Sequence, residues 1–246
     1  MKKLLLSYLI THTNNTKFIT EHYKFQIEAF VQFQKDSQFS LIPKSKIKFG
    51  GGTALAMYYF QHRLSFDIDL FVDDIQYLDY LRPKMWIDDT LNFNPCEYID
   101  SHNYIGLVSK NEIKIDILID SNSNQGLIDD SKKIFPFEVY IESIEDILAK
   151  KITFRKNDNK ARDIFDIAVA IDNNNDILKN MLILAKITKD DLSKLKISLE
   201  NLDINKYNHQ IEIINPFNKY KEISLNASSI IIQAIKIILE SVNLTV

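Results

Sequence analysis

Cysteine is almost absent from this chain of 246 residues, in which Cys96 is the only one. A single cysteine excludes an internal disulfide, and no Cys or His lies beside it at metal-ligand spacing, so a structural zinc site is not expected. The lack of a disulfide framework suits a reducing compartment. We therefore expect a cytoplasmic protein.

An excess of charge of one sign is also missing, because 30 Lys and Arg stand against 33 Asp and Glu, for a net charge of −3. The whole protein is therefore not a general electrostatic binder of nucleic acid or of an anionic membrane. Any contact with nucleic acid must be local.

Long hydrophobic runs are missing as well. The most apolar stretch near the C-terminus, SIIIQAIKII, is interrupted by Gln233 and Lys236 and is shorter than the roughly 20 residues that a membrane span needs. We interpret it as a core helix and expect no membrane partner. At the other end, MKKLLLSYLITHTNN has no small-residue cleavage site, so an amphipathic helix or a strand is expected there rather than a secretory signal.

The hydrophobic pattern divides the chain into two parts. Apolar residues at helical spacing predict one long helix over residues 16–38. Short strands are predicted at residues 104–108, 112–119 and 137–141, with a turn in SNSNQG between the last two. Helices are then predicted over residues 143–156, 160–172, 175–186, 189–201 and 225–242. This predicts an α+β protein, with a small mixed sheet flanked by helices in residues 1–141 and a helical bundle in residues 142–246.

A pair of acids occupies one face of a predicted strand. In FDIDLFVDD, alternation places Asp67 and Asp69 on one face and Ile68, Leu70 and Val72 on the other. Two like charges two residues apart repel each other, and a divalent cation would relieve the repulsion. We expect Mg²⁺, or Mn²⁺, held by these carboxylates and by substrate phosphates. Acids on a solvent-facing strand give the same short pattern, so a second signal is needed.

The second signal is a glycine turn upstream of the acids. Gly50, Gly51 and Gly52 supply three of the five glycines of the chain and lie where a predicted strand turns into a helix that begins near Thr53. Such a turn lets backbone N–H groups approach phosphate oxygens. Gly51, Gly52 and Thr53 are therefore candidate nucleotide ligands, although Thr53 could also be an ordinary helix N-cap.

At these residues the sequence resembles a known family. The run GGTALAMYYFQHRLSFDIDLF is similar to the first motif of the polymerase β nucleotidyltransferase superfamily, a Gly-Gly turn followed by Asp-x-Asp. Within it, GGTAL followed by RxSxDIDL resembles the AbiEii/AbiGii group of toxins. The resemblance implies a polymerase β-like nucleotidyltransferase domain and adds Arg63 and Ser65 to the nucleotide-binding candidates.

The second half carries a further resemblance. IEDILAKKITFRKNDNKARDIFDIAVAI is similar to the later motif of the group, and the matching residues are Lys151, Arg155, Arg162, Asp163 and Asp166. The resemblance implies that Asp163 is an active-site residue that orients Lys151. We interpret Asp166 as a packing or ion-pair residue.

Helix geometry tests Lys151 independently. At about 100° per residue, Lys151 and Arg155 fall inside the apolar stripe that Ile144, Ile147 and Leu148 define. A cation in an apolar stripe is costly unless it is paired. The partner could be a triphosphate, which makes both residues nucleotide-binding candidates, or one of the two aspartates of the motif.

A third carboxylate is predicted on a neighbouring strand. In EIKIDILID the isoleucines face one side, and Asp116 is central on the other. Polymerase-type transfer commonly uses a third acid to bind a second metal ion or to take the proton of the attacking hydroxyl. Asp116 is our candidate, and an acid on a solvent-exposed strand face is the alternative.

Together these residues predict metal-assisted transfer of NMP from an NTP to an acceptor hydroxyl, with release of pyrophosphate. Asp67, Asp69 and Asp116 would hold the metal, and Lys151 and Asp163 would complete the catalytic group.

The resemblance further implies a toxin of a toxin–antitoxin or abortive-infection system, an RNA acceptor such as a tRNA 3′ end, and an antitoxin as a candidate partner. An RNA would dock on basic residues of the second half: Lys150, Lys156, Lys160 and Arg162. Transfer to a protein side chain and a non-catalytic nucleotide-binding or partner-binding module are alternatives. A metal-dependent nuclease fits less well, because the glycine turn would have no use.

Overall fold

The computed structural model describes residues 16–155 and 160–243, with side chains described except at residues 155 and 241–243. The N-terminal segment for which we expect a helix or a strand lies outside these residues. The chain forms two compact units. The first consists of the described residues up to Tyr59 together with Ser65–Ser143, and the second of Phe60–Leu64 together with the residues from Ile144 onward. The domain boundary predicted after residue 141 therefore omits Phe60–Leu64 from the second unit.

A mixed sheet forms the centre of the first unit, and the described residues contribute seven strands in the order β3-β4-β5-β2-β1-β7-β6. The strands are β1 Ile47–Gly50, β2 Ile68–Val72, β3 Phe93–Asp100, β4 Tyr104–Ser109, β5 Lys114–Ile119, β6 Gln125–Asp129 and β7 Val139–Glu142. β2 pairs antiparallel with β1 and parallel with β5, and β1 pairs parallel with β7. This mixed sheet confirms the predicted fold class for the first half of the chain.

The central strands are anchored by their apolar face. Ile68, Leu70 and Val72 are buried, as are Ile115 and Ile117 of the neighbouring strand. Because side chains alternate across a strand, the acids between these residues all lie on the opposite face of the sheet. The alternation predicted for both strands is confirmed.

Helices of the first unit cover the core. They are α1 Thr16–His22, α2 Lys24–Asp36, α3 Gly51–Ala54 and α4 Ile75–Tyr80, and α3 continues as a π-helical turn over Leu55–Phe60. Phe30 of α2 packs against the rings of Phe49 and Phe135, with centroids 5.7 and 5.1 Å away. Such aromatic pairs bury large apolar areas and fix the helix against the sheet.

The single helix predicted over residues 16–38 is wrong, because the chain leaves the helical conformation at Tyr23, where φ is −114° and ψ is 24°. In the preceding turn, the hydroxyl of Thr20 donates to the carbonyl of Thr16, and the ring of His22 is 2.9 Å from the carbonyl of Phe18. The i→i−4 bonds from the N–H of Tyr23 to the carbonyl of Ile19 and from the N–H of Ile27 to the carbonyl of Tyr23 remain, both at 2.9 Å, so the interruption is a local change of backbone angles at Tyr23.

The second unit is helical in its described residues from Ile144 onward. Its helices are α5 Ile144–Arg155, α6 Ala161–Asn173, α7 Ile177–Ile183, α8 Lys189–Glu200, α9 Ile204–Ile214 and α10 Lys221–Asn243. Almost every residue of α6 is buried. A helix that is buried on all sides lies at the centre of a bundle, and the predicted helical second half is confirmed.

The C-terminal helix α10 places Ala227, Ile231 and Ile235 in the core, one helical turn apart. Within the described residues, one window, Asn218–Glu240, is long and apolar enough to cross a membrane by length and composition, with a mean hydropathy of 1.4 and 28% of it buried. The helix is longer than the apolar stretch suggested, and it is amphipathic: one stripe is buried, while apolar side chains such as Leu225 and Ile237 are exposed.

Four of the strands and helices were not predicted, and one of them is the short helix α4. The strands β3 and β6 lie at the two edges of the sheet, and SNSNQG runs into β6 rather than forming only a turn. Both strands are largely exposed, so they lack the apolar alternation that marks a half-buried strand. The helix α9 is the fourth, and Asp203, which accepts from the N–H groups of Asn205 and Lys206, is its N-cap signal.

Candidate active site

The Asp-x-Asp pair lies at the start of β2. Asp67 comes directly before the strand and Asp69 is its second residue, and both side chains are half-buried. On one side Asp69 is paired with Gly50 of β1, and on the other with Asp116 of β5. The strand register thus brings together the glycine turn, Asp69 of the acidic pair and the third acid that the sequence predicted.

The glycine turn touches the carboxylate of Asp69. Gly51 has φ +65°, and a Cβ atom added to it would overlap with Oδ2 of Asp69. A positive φ favours glycine, and the missing side chain leaves room for the carboxylate. Gly51 is therefore fixed by two independent requirements, its backbone conformation and its contact with Asp69.

Thr53 holds the beginning of the acidic strand. It is fully buried, its hydroxyl donates to the carbonyl of Asp67, and the same hydroxyl is 2.9 Å from the hydroxyl of Ser65. The carbonyl of Ser65 in turn accepts from the side-chain amide of Gln26. The N-cap interpretation of Thr53 is wrong, because α3 begins two residues earlier and its N-cap is Gly50. Both hydroxyls position the strand, and their assignment as nucleotide ligands stays a prediction.

Asp116 has a neighbour that the sequence analysis missed. The hydroxyl of Tyr104 on β4 donates to Oδ1 of Asp116 over 2.7 Å. Burial, followed by the hydrogen bond and charge of Asp116 and the charge of Asp69, raises the pKa of Tyr104 well above its ordinary value. The ring lies over Gly106, whose added Cβ would be 2.5 Å from the Tyr104 hydroxyl. Gly106 is the residue that β4 pairs with Asp116. An isolated glycine inside a strand was the available signal for this close approach.

The donor set fits a cation shared with substrate. Asp69 and Asp116 are directly opposite each other on adjacent strands, which places two hard oxygen ligands on one sheet face. Among the residues that the structure describes, no group of three or more His, Cys, Asp or Glu side chains forms a complete metal site. Mg²⁺ is commonly held by one or two carboxylates plus substrate phosphates and water, so a complete protein cage is not required.

A buried charge cluster lies in the second unit, centred on the fully buried Asp166 of α6. Its carboxylate accepts from Nε and Nη2 of Arg63 over 2.7 and 2.8 Å, and from Nε2 of His62 over 2.6 Å. Nζ of Lys151 lies 2.9 Å from Oδ2 of Asp166 and also contacts Asp163. The ion-pair role predicted for Asp166 is confirmed.

The cluster gives Arg63 and Lys151 partners inside the protein. Arg63 is 3% exposed and forms a bidentate pair with Asp166. Lys151 is 8% exposed and lies between Asp163 and Asp166, the salt bridge considered as an alternative to a triphosphate. The contact between Asp163 and Lys151 agrees with an orienting role. Nucleotide binding by Arg63 and Lys151 stays a prediction.

The cluster sets two protonation states. Burial would by itself raise the pKa of Asp166, but the charges of Arg63 and Lys151 and the hydrogen bonds outweigh it and hold this pKa well below the ordinary value. Burial lowers the pKa of His62, because the attraction of Asp166 does not make up for lost hydration. Nδ1 of His62 has no hydrogen-bond partner in the described part of the chain. A neutral ring that donates from Nε2 satisfies both facts.

The other basic candidates lie in or next to α5 and α6 in the sequence. Arg155 ends α5, but its side chain lies outside the described residues, as does all of Lys156. Lys160 is exposed, and Lys150 and Arg162 are half-buried. Their role in RNA docking stays a prediction.

A glycine turn packed against an Asp-x-Asp strand, with a third acid opposite on the next strand, is the arrangement expected of a nucleotidyltransferase. The model of the AbiEii family, described as a nucleotidyl transferase toxin of a type IV toxin–antitoxin system, matches residues 42–86 and 93–220. The chain belongs to this family of nucleotidyltransferase toxins. Membership implies a nucleotide substrate and an antitoxin partner.

Solved structures resemble the chain at low identity, and no curated protein matches it. JHP933 from Helicobacter pylori is 18% identical with a TM-score of 0.47, and a second H. pylori protein, assigned as a nucleotidyltransferase, is 16% identical with a TM-score of 0.49. Each alignment covers 92% of this chain and 96% of the other. MenT4, a nucleotidyltransferase toxin from Mycobacterium tuberculosis, is 12% identical with a TM-score of 0.37, over 82% of this chain and 70% of MenT4. At such low similarity these structures say nothing about the substrate of this chain.

Proposed function

We propose that this protein transfers an NMP from an NTP to a hydroxyl of an RNA acceptor, such as a tRNA 3′ end, in a reaction that depends on Mg²⁺ or Mn²⁺. The observation that carries the proposal is the register of the central strands, which places Asp69 directly between Gly50 and Asp116. The glycine turn, an acid of the pair and the third acid thus meet on one sheet face.

The position of each residue in the site suggests its role in the proposed reaction. Asp67, Asp69 and Asp116 would hold the metal ion, which supplies charge neutralisation and polarisation of the α-phosphate when bound. Gly51 leaves room for the carboxylate of Asp69, because a Cβ atom at this position would overlap with it. The absence of a side chain also lets the backbone of the turn come close to phosphate oxygens.

The proton of the acceptor has a nearby destination. Asp116 already accepts a hydrogen bond from a hydroxyl group, that of Tyr104, at 2.7 Å. A general base must lie within about 2.6–3.2 Å of the group that it deprotonates. Asp116 would take the proton as the acceptor oxygen attacks the α-phosphorus and pyrophosphate leaves in line.

The RNA acceptor is proposed from the family and from local charge. The net charge of −3 provides no general attraction for a polyanion, so RNA must be bound by a local basic surface. The exposed Lys160 and the half-buried Lys150 and Arg162 are the described candidates. Neutralisation of phosphates by such residues makes affinity fall steeply with salt.

The test is incubation of the purified protein with Mg²⁺, each α-³²P-labelled NTP in turn and total bacterial tRNA. The variant Asp69→Asn keeps the shape of the side chain and removes its charge, so labelling of RNA should fall to background. Asp88→Asn is the matched control, because Asp88 is an exposed acid of the same unit and should label RNA as the wild type does. Equal labelling by wild type and Asp69→Asn, or no labelling by folded wild type with any NTP, would refute the proposal.

A further inference from the structure

The hydroxyl of Tyr104 occupies a chemically distinctive place. It donates to Oδ1 of Asp116 over 2.7 Å, and Asp116 is paired directly with Asp69 on the next strand. A half-buried hydroxyl of the chain itself therefore lies among the acids of the candidate active site.

An acceptor hydroxyl would need the same contact. The group that attacks the α-phosphorus must reach the general base at hydrogen-bond distance, and it must lie on the sheet face that carries the metal-binding acids. Tyr104 meets both conditions through strand register: β4 is antiparallel to β5, and the ring crosses over Gly106 to reach Asp116. A side chain at Gly106 would close this route.

We propose that Tyr104 is an acceptor in its own chain, so that the protein transfers an NMP to the Tyr104 hydroxyl when no RNA acceptor occupies the site. In the step, the phenolic oxygen bonds to the α-phosphorus of the NTP, the bond from that phosphorus to the bridging oxygen of the β-phosphate breaks, and pyrophosphate leaves. The phenolic proton passes to Asp116. The inference rests on the proposed nucleotidyl transfer.

Modification would also block the site. A phosphodiester on Tyr104 carries a negative charge beside Asp69 and Asp116, and it takes away the hydrogen-bond donor that now faces Asp116. The modified protein would have lost the position in which an RNA hydroxyl must sit. Self-transfer therefore predicts that labelling of RNA declines as the protein becomes modified.

The experiment compares four forms of the full-length chain: wild type, Tyr104→Phe, Tyr98→Phe and Asp69→Asn. Each is incubated with Mg²⁺ and each α-³²P-labelled NTP, with and without total tRNA, and the protein is examined by intact mass and by peptide sequencing in the mass spectrometer. Tyr104→Phe keeps the ring that fills the space over Gly106 and removes only the hydroxyl. Tyr98→Phe makes the same change on the neighbouring strand β3.

We expect wild type and Tyr98→Phe each to gain one NMP, located on Tyr104, and to gain it more slowly when tRNA is present. Tyr104→Phe and Asp69→Asn should gain none. Wild type that labels RNA while its own mass stays unchanged without RNA would overturn the inference and leave the proposed function standing. An NMP on another residue that persists in Tyr104→Phe would overturn the inference in the same way. Wild type that labels neither RNA nor itself would remove the proposed function together with the inference.

Discussion

Replacing Asp166 by Asn should destabilise the second unit strongly. The carboxylate is fully buried and accepts from Arg63, His62 and Lys151, and its exposed fraction is 0%. An amide of the same shape removes the negative charge and turns an N–H donor toward groups that are themselves donors. Breaking a buried ion pair by removing one partner costs about 3–5 kcal/mol, because the remaining charge stays buried without compensation.

Urea unfolding followed by far-ultraviolet circular dichroism measures the effect. With a slope of about 2–3 kcal/mol per M, the loss of about 3–5 kcal/mol corresponds to a midpoint lower by roughly 1–2.5 M, with the slope unchanged. Asp190→Asn is the control, because it breaks the exposed pair of Asp190 with Lys194 and should leave the midpoint where it is. If Asp166→Asn unfolds at the wild-type midpoint, the cluster does not stabilise the unit as argued.

Three further predictions concern the turn, the strand and the buried histidine. Gly51→Ala should lower kcat about a hundredfold or more, because the new Cβ would displace the carboxylate of Asp69. Steady-state assays at saturating NTP measure kcat, and a wild-type value would contradict this prediction. Thr53→Val should lower the free energy of unfolding by about 1–3 kcal/mol by leaving the carbonyl of Asp67 without its donor, while Thr53→Ser should stay close to wild type in the same urea assay. Burial lowers the pKa of His62, so at mildly acidic pH the unfolded chain binds a proton that the folded chain does not. The contribution of His62 to the free energy of unfolding is therefore complete above about pH 6.5, the pKa of an unfolded histidine. It falls as the pH drops from there toward the pKa of His62 in the folded protein. In His62→Gln the urea midpoint should depend less on pH between about pH 7 and pH 5 than it does in the wild type. The same pH dependence in both proteins would show that another group titrates.

The central strands of the sheet could be predicted because apolar and polar residues alternate along strands that bury one face. Ile68, Leu70 and Val72 alternate with the acids, so the face of Asp67 and Asp69 could be assigned from the spacing of residues alone. The edge strands β3 and β6 show no such alternation, because they are held by pairing with a neighbouring strand rather than by burial of one face.

Individual residues of the site could be predicted where their type and spacing are unusual, but the contacts between them could not. Asp116 stood out as an acid in an apolar strand, but its pairing with Asp69 depends on register across distant segments. Tyr104 was missed for the same reason, since its bond to Asp116 spans two strands. Lys151 could be recognised as an unusual cation and Asp166 as an ion-pair residue, whereas Arg63 was a candidate through the family resemblance alone, and its pairing with Asp166 depends on the packed bundle.

The five residues Phe60–Leu64 limit how this protein can be divided. They stand in sequence between β1 and β2, yet they belong to the second unit. There, the carbonyl of Phe60 accepts from the hydroxyl of Tyr220 over 2.6 Å, and the carbonyl of His62 accepts from the N–H of Phe217 over 3.0 Å. The polypeptide thus passes from one unit to the other at three points, after Tyr59, after Leu64 and after Ser143. A fragment that ends near residue 143 would carry Arg63 without its carboxylate partner. A cut at that boundary therefore does not separate the two units, because the first fragment keeps five residues of the second.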